Sequence, residues 1–293
     1  MCEGLAMTVR VLDTIAALRA ELDAARAAGQ RVGFVPTMGY LHDGHLSLMR
    51  RSKEECDLTV VTIFVNPLQF GANEDLASYP RDLPRDVELC DQVGVDLVLA
   101  PSVDEMYPEP VLTTVSVSSL SAGMEGGSRP THFDGVATVV AKLFNIVGSC
   151  RAYFGEKDYQ QLAVVTRMAR DLSVPVTIVP CPIAREPDGL ARSSRNVYLT
   201  DAERAAAPVL NRALRAGADA VLAGETDPDA VIALVTAMVA AEPRAALDYV
   251  EVVTEGTVTR PSVLAGDLRL LAAAQFGRPR LLDNVAVTAP DYR

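Results

Sequence analysis

The chain has 293 residues, 49% of them hydrophobic and 22% charged, which is enough to bury a sizeable core and to fill about two domains. A formal net charge of −11, from 27 Lys and Arg against 38 Asp and Glu, repels polyanions and argues against a nucleic-acid partner. Apolar runs such as Leu58 to Val65 and Val136 to Val147 fall short of the ~20 residues that a bilayer-spanning helix needs, so no membrane partner is expected.

The opening MCEGLAM lacks a secretory pattern, which makes the cytoplasm the expected compartment, and Met7 offers a second start. Cys2, Cys56, Cys90, Cys150 and Cys181 are scattered without a CxxC pair and read as reduced, apolar residues. Thr14 to Gln30 has the pattern of an amphipathic helix and leads into RVGFVP, a short β-rich run. The loop TMGYLHDGH follows, then the helical HLSLMRRSKEEC, then DLTVVTIFV, whose unbroken apolar character predicts a strand buried on both faces. A turn-rich NPLQFG, a helix over Asp82 to Val93 and the strand VDLVLAP continue the alternation. THFDGVATVVAKLFNIVGS predicts a buried helix, RAYF a short strand, Asp158 to Leu172 a helix and PVTIVP a further strand. Strands alternating with helices predict an α/β class, with a Rossmann-like doubly wound parallel sheet.

Beyond Glu186 the texture changes. One helix is expected over Asp201 to Leu222, another over Asp227 to Ala241, and β-like runs at Leu247 to Thr254, Leu268 to Ala273 and Arg280 to Val287. Helices followed by strands predict a smaller α+β domain over residues 186–293, after a Rossmann-like domain over residues 1–185.

VPTMGYLHDGHLSLMRR carries the strongest chemical signal. A loop from a first strand into a helix N-terminus is where open α/β sheets hold phosphates, because unpaired N–H groups and the positive helix end face the ligand. Gly39 and Gly44 permit close backbone approach, and His42 and His45 lie i, i+3 at that helix end. Two readings stay open on the residues alone: imidazoles that donate to charged phosphate oxygens, or polar loop residues. A zinc reading lacks the i, i+4 spacing and the glutamate. YFGEKDYQQL repeats the strand, loop and helix, with Lys157 as a cation for phosphate or a surface lysine, and Asp158 as an N-cap. Arg192, Ser193, Ser194, Arg195 and Asn196 suit pyrophosphate oxygens, or form a polar linker. Gln69 and Gln161, with Asn66 near the first, are neutral amides after strand ends, able to orient a small hydroxy acid or lie at the surface.

PTMGYLHDGH, IFVNPLQFG, YPRDL, RPTHFDGV, YFGEKDYQQL, DGLARSSRNVYL and RLLDN, in this order, resemble the pantoate–beta-alanine ligase (pantothenate synthetase) family of the HxGH nucleotidylyltransferase superfamily, from about Arg31 to the terminal LLDNVAV. The resemblance implies an ATP-dependent ligase that joins (R)-pantoate to β-alanine through pantoyl-adenylate, releasing pyrophosphate and then AMP. It implies a homodimer, an ATP- and pantoate-binding first domain and a C-terminal lid. Met38, Gly39, Tyr40, Leu41, His42, Asp43, Gly44 and His45 would contact ATP, with His45 stabilising the transition state and His42 assisting. Gly155, Glu156 and Asp158 would lie near the nucleotide, Lys157 on the phosphates and Ala184 against adenine. Ser193, Ser194 and Arg195 would hold pyrophosphate, with Lys157 and Arg195 counted as catalytic. Gln69 and Gln161 would bind pantoate in a pocket shaped by Pro36, Thr37 and Asn66.

Against the family pattern, Arg192 replaces a methionine, to stack on adenine, meet phosphate or face solvent. Arg85 and Leu89 replace polar or acidic residues tied to magnesium, leaving Asp86 as the expected Mg2+ ligand, with ATP phosphates and water as its other holders. Tyr40 is bulkier than usual and Asp43 replaces a glutamate. Rival readings are a nucleotidyltransferase with another acceptor, which the two glutamines and VNPLQFG disfavour, and a regulatory nucleotide-binding protein, which intact His45, Lys157 and Arg195 disfavour.

Overall fold

A computed structural model describes residues 9–71 and 76–290; Cys2 and Met7 lie outside the described residues. The chain divides into two compact units, residues 1–156 with 164–182, and residues 157–163 with 183–293. Residues 157–163, which the sequence-based boundary puts in the first domain, thus go with the second unit. Their contacts explain it: the Tyr159 hydroxyl accepts from the Gly256 N–H at 2.8 Å, and the Arg269 guanidinium lies 4.3 Å from the centre of the Tyr159 ring.

In the first unit the order is β1 (Arg10–Leu12), α1 (Ile15–Ala27), β2 (Val32–Thr37), α2 (Asp43–Glu55), β3 (Leu58–Ile63), α3 (Leu83–Val93), β4 (Leu97–Leu99), the short α4 (Val103–Met106) and α5 (Met124–Ser128), α6 (His132–Val147), β5 (Cys150–Gly155), α7 (Tyr159–Asp171, its first turn in the second unit) and β6 (Val176–Cys181). Local chemistry sets the ends. Thr14 caps α1 by accepting from the Ala17 N–H at 3.2 Å, and Leu18, Leu22 and Ala25 give that helix one buried stripe. Asp82 caps α3, which stops at Gly94 in left-handed backbone, φ 78°. β3 is buried through its middle and α6 along nearly its whole length, as their unbroken apolar runs require.

The strands form one parallel sheet in the order β1-β4-β3-β2-β5-β6. From β2 the chain moves outward through β3 and β4, then returns to β5 on the other side of β2. The carboxyl ends of β2 and β5 therefore flank the topological switch point, where sheets of this kind open a ligand crevice. Cys56, Cys90, Cys150 and Cys181 are free and buried, and burial pushes the Cys90 and Cys150 thiols up to about 12. They are inert packing residues.

The second unit carries α8 (Asp201–Ala206), α9 (Val209–Leu222), α10 (Pro228–Ala240) and an antiparallel sheet, β7 (Ala245–Thr254), β8 (Asp267–Phe276) and β9 (Arg280–Thr288), in the order β7-β8-β9. The single helix expected over Asp201 to Leu222 is two, because Pro208 has no N–H to extend α8. Gly217 lets α9 approach the sheet and α10: a Cβ there would meet Leu270 Cδ2 and Val235 Cγ2, each at 2.8 Å. Among the described residues no helix is long and apolar enough to cross a membrane.

Candidate active site

At the end of β2 the Thr37 hydroxyl donates to the Thr62 carbonyl (2.7 Å) and accepts from the Gly39 N–H (3.2 Å). Backbone then turns left-handed at Gly39 (φ 84°) and Tyr40 (φ 49°). Glycine adopts this without penalty and tyrosine does not, so the turn needs outside support. Asp86, on α3 and 1% exposed, provides it by accepting from the Tyr40 and Leu41 N–H groups, both at 2.7 Å. Arg85 donates to the Leu41 carbonyl (3.1 Å) and lies 5.1 Å from the centre of the Tyr40 ring. Burial pushes the Asp86 carboxyl above its ordinary range, while the two N–H bonds and Arg85 pull it down.

This geometry does not fit the expectation that Asp86 holds magnesium. Each carboxylate oxygen faces a backbone N–H, the side chain is sealed from solvent, and among the described residues no group of three or more His, Cys, Asp or Glu side chains converges to hold a metal.

α2 begins directly after the turn. His42 is its N-cap, with Nδ1 accepting from the Gly44 N–H at 3.1 Å, and His45 Nδ1 accepts in return from the His42 N–H at 3.3 Å. Two imidazoles thus make a reciprocal capping box of the kind usually built from a hydroxyl and a carboxylate. An accepting Nδ1 carries no proton, so each neutral ring keeps its proton on Nε2. With ring centres 4.1 Å apart, the pair is set to present two N–H donors at the positive end of a helix. Leu41 is fully buried, with its N–H on Asp86 and its carbonyl on Arg85, and Asp43 opens the first helical turn.

Asn66, 1% exposed, is occupied at both ends: Oδ1 accepts from the Tyr107 hydroxyl (2.8 Å) and the Leu68 N–H (3.3 Å), while Nδ2 donates to Gln69 Oε1 (3.2 Å) and the Gly135 carbonyl (3.1 Å). It orients Gln69, whose Nε2 points to Met38 Sδ at 3.4 Å. The Gln69 carbonyl is held by Arg129 Nη2 (3.2 Å) and His132 Nδ1 (2.9 Å). Gly135 must be glycine for this packing, since a Cβ would lie 2.1 Å from the Leu68 carbonyl oxygen. Sequence reading assigned no role to Arg129, His132 or Gly135, although RPTHFDGV was the signal. Pro36 lies in β2, in register with Thr62, and Gly155 and Glu156 end β5 and begin the next turn.

In the second unit Lys157 Nζ lies 3.5 Å from Asp158, and Gln161 is half-buried on the first turn of α7. Ala184 to Arg192 is a hairpin in which the Arg192 N–H donates to the Ala184 carbonyl at 2.9 Å. The Arg192 guanidinium donates to Glu186 at 3.3 Å. Ser193 caps the 3-10 turn Ser194–Tyr198 by accepting from the Arg195 N–H at 3.3 Å. Lys157, Ser193, Asn196 and Asp283 line one recess. Beneath it Arg185 grips Asp283 through two nitrogens (2.7 and 2.9 Å), and Asn284, 1% exposed, donates to the Lys157 carbonyl at 2.9 Å. Asp283 and Asn284 also escaped the sequence reading; their signal was a polar pair inside the apolar strand LLDNVAV.

The sequence model described as pantoate-beta-alanine ligase matches residues 10–286. The chain belongs to the pantoate-beta-alanine ligase family. It is 52% identical to a pantothenate synthetase of Heliobacterium modesticaldum over 95% of this chain and 99% of that one, and 53% identical to one of Roseiflexus sp. over 96% and 100%. The fold superposes on pantothenate synthetase from Thermus thermophilus with a TM-score of 0.90 at 49% identity, covering 96% of this chain and 100% of the other. It also resembles pantoate-beta-alanine ligase from Francisella tularensis complexed with beta-gamma ATP and beta-alanine, with a TM-score of 0.79 at 32% identity, covering 94% and 97%. Family and fold agree with the ordered motifs of the sequence.

Proposed function

We infer that this chain is an ATP-dependent ligase that condenses (R)-pantoate with β-alanine to pantothenate. A pantoate carboxylate oxygen attacks the α-phosphorus of ATP and pyrophosphate leaves. The β-alanine amine then attacks the acyl carbon of pantoyl-adenylate, loses a proton and expels AMP. No protein nucleophile is needed, and the buried, high-pKa cysteines suit that chemistry. The observation that carries the reading is the imidazole capping box, which fixes both Nδ1 atoms on backbone N–H groups and sets the two rings at the N-terminus of α2, where Nε2–H groups would donate as charge grows on the α-phosphate.

In this reading His45 is the main donor and His42 assists, Lys157 and Arg195 balance phosphate charge, and Ser193 and Ser194 hold pyrophosphate. The amides of Gln69 and Gln161 orient pantoate. Any magnesium the reaction uses would be carried by ATP and would supply charge neutralisation on its phosphates, and no step is routed through Asp86. We propose further that the enzyme works in the cytoplasm as a homodimer; sedimentation as a monomer at micromolar concentration would count against the dimer. ATP–pyrophosphate exchange tests the reaction: it should require (R)-pantoate and not β-alanine, and exchange that runs equally fast without pantoate refutes it.

A further inference from the structure

Five N–H groups of the loop after β2 are spent inside the protein. Gly39 donates to Thr37, Tyr40 and Leu41 to Asp86, His42 to His45, and Gly44 to His42. Successive N–H groups at left-handed residues ordinarily form a concave nest for an anion such as phosphate. Here the Asp86 carboxylate fills that nest, one oxygen to each N–H, and Arg85 fastens the adjoining carbonyl of Leu41. The clamped peptides lead directly into the N-cap, so their planes set where the two imidazoles emerge.

We propose that Asp86, helped by Arg85, is a positioning residue for adenylation: it occupies the loop's N–H pair in place of a phosphate, so that the triphosphate is met at this helix end by the His42 and His45 side chains. The role rests on the adenylation reading above. Arg85 is suited to it because it is partly exposed, 44% at the side chain, and spans from the Leu41 carbonyl to the Tyr40 ring.

Pantoate-dependent ATP–pyrophosphate exchange, measured against Mg2+ concentration, tests the assignment. In Asp86→Asn one carboxylate oxygen becomes an NH2 that opposes a backbone N–H, so kcat should fall about tenfold to a hundredfold. The pantoate KM and the half-activating Mg2+ concentration should stay within about twofold, because neither pantoate nor the metal touches Asp86. Arg85→Met, at a partly exposed position, should lower kcat about threefold with an unaltered Tm. Hydrogen exchange at the Tyr40 and Leu41 amides should quicken in Asp86→Asn, which reads the clamp independently of turnover. Asp86→Asn activity restored by raising Mg2+ would overturn the proposal in favour of a metal ligand, and unchanged kcat in both variants would overturn it outright. Should Asp86→Asn not fold, unchanged kcat in Arg85→Met decides against it. Wild-type exchange that ignores pantoate would refute adenylation while leaving the amide-exchange result to judge the clamp.

Discussion

The loop after β2 and the hairpin from Ala184 to Arg192 are both rich in polar residues, yet they are held by different physics. In the loop, the buried carboxylate of Asp86 and two imidazoles bond to backbone N–H groups, directional contacts that fix peptide planes and that salt does not screen. The hairpin and the turn beside it rely on guanidinium–carboxylate pairs graded by exposure: Arg185–Asp283 at 17% and 4%, Arg192–Glu186 at 30% and 29%, Arg204–Asp188 at 36% and 43%. One pair anchors and the others adjust. A rigid donor array suits charge stabilisation in a transition state, whereas screened pairs suit a segment that must rearrange when charge approaches it, as the proposed pyrophosphate role of Ser193 to Arg195 would require.

The contrast breaks most visibly at the anchor. Asp283→Ala takes the carboxylate from the half-buried Arg185, leaving it only the Gly189 and Asn284 carbonyls, and removes an acceptor from Asn211, so unfolding in urea should show a loss of roughly 3–5 kcal/mol. A loss below about 1 kcal/mol would place Arg185–Asp283 among the screened pairs. Next in size is His45→Ala. Removing a donor aimed at developing charge should lower kcat roughly 100-fold to 1,000-fold and shift the ATP KM far less. Equal damage to both constants would show that the ring serves the helix cap and not the transition state.

What the sequence made legible follows from the range of the forces involved. The unbroken apolar runs of β3 and α6 report burial because side-chain periodicity is a local property. The HxGH loop was equally visible, since its glycines and histidines are neighbours in the chain. β1 was not, being three residues long and largely exposed. The break at Pro208 was readable from the proline itself and was passed over because alanine-rich text continues on both sides. The partners of Asp86 and Asp283 could not be read: Asp86 meets Tyr40 across 46 residues and Asp283 meets Arg185 across 98. A carboxylate that lands on a backbone N–H by tertiary folding looks, in sequence, like any other carboxylate, so nothing in the residues spoke against the metal role that the family resemblance implied for Asp86.

A middle-sized effect lies at the far end of α2, where the helix that carries the rigid loop uses ion pairs of its own. Glu55 accepts from Arg51 (2.9 Å), Arg151 (2.8 Å) and the Tyr153 hydroxyl (3.0 Å). The Arg51 hydrogen bond, with those of Arg151 and Tyr153, holds its carboxyl at about 2 instead of 4.5. A carboxylate whose folded pKa is depressed stabilises the fold above its unfolded pKa, and that contribution is lost as pH falls from about 4.5 to about 2. Glu55→Gln should therefore cost about 1–2 kcal/mol at pH 7, discounted for partial exposure, and should converge on wild type near the acid end. Urea titrations at a series of pH values check this, and a gap that stays constant with pH would mean that packing, not charge, ties α2 to the sheet.

The smallest effect sharpens the comparison most. Arg192, where the family resemblance led to the expectation of methionine, has its guanidinium held by Glu186 at 3.3 Å with both side chains about one-third exposed. A pair of this kind contributes only about 0.2–1 kcal/mol, so Arg192→Met should leave stability nearly unchanged. It would, however, leave the Glu186 charge uncompensated on the hairpin that precedes Ser193, and ATP binding should weaken by a similar amount at low salt. Added salt should erase the difference, because exposed charges are screened beyond roughly 10 Å at 0.1 M. Arg192→Met combined with Glu186→Gln separates the two ways the arginine can act. Recovery of ATP affinity in the double variant means that Arg192 works by neutralising Glu186, which is the expected outcome. Affinity that remains low in the double variant means that the guanidinium touches the nucleotide directly, and the hairpin would then belong with the loop after β2 among the regions whose contacts are fixed by geometry.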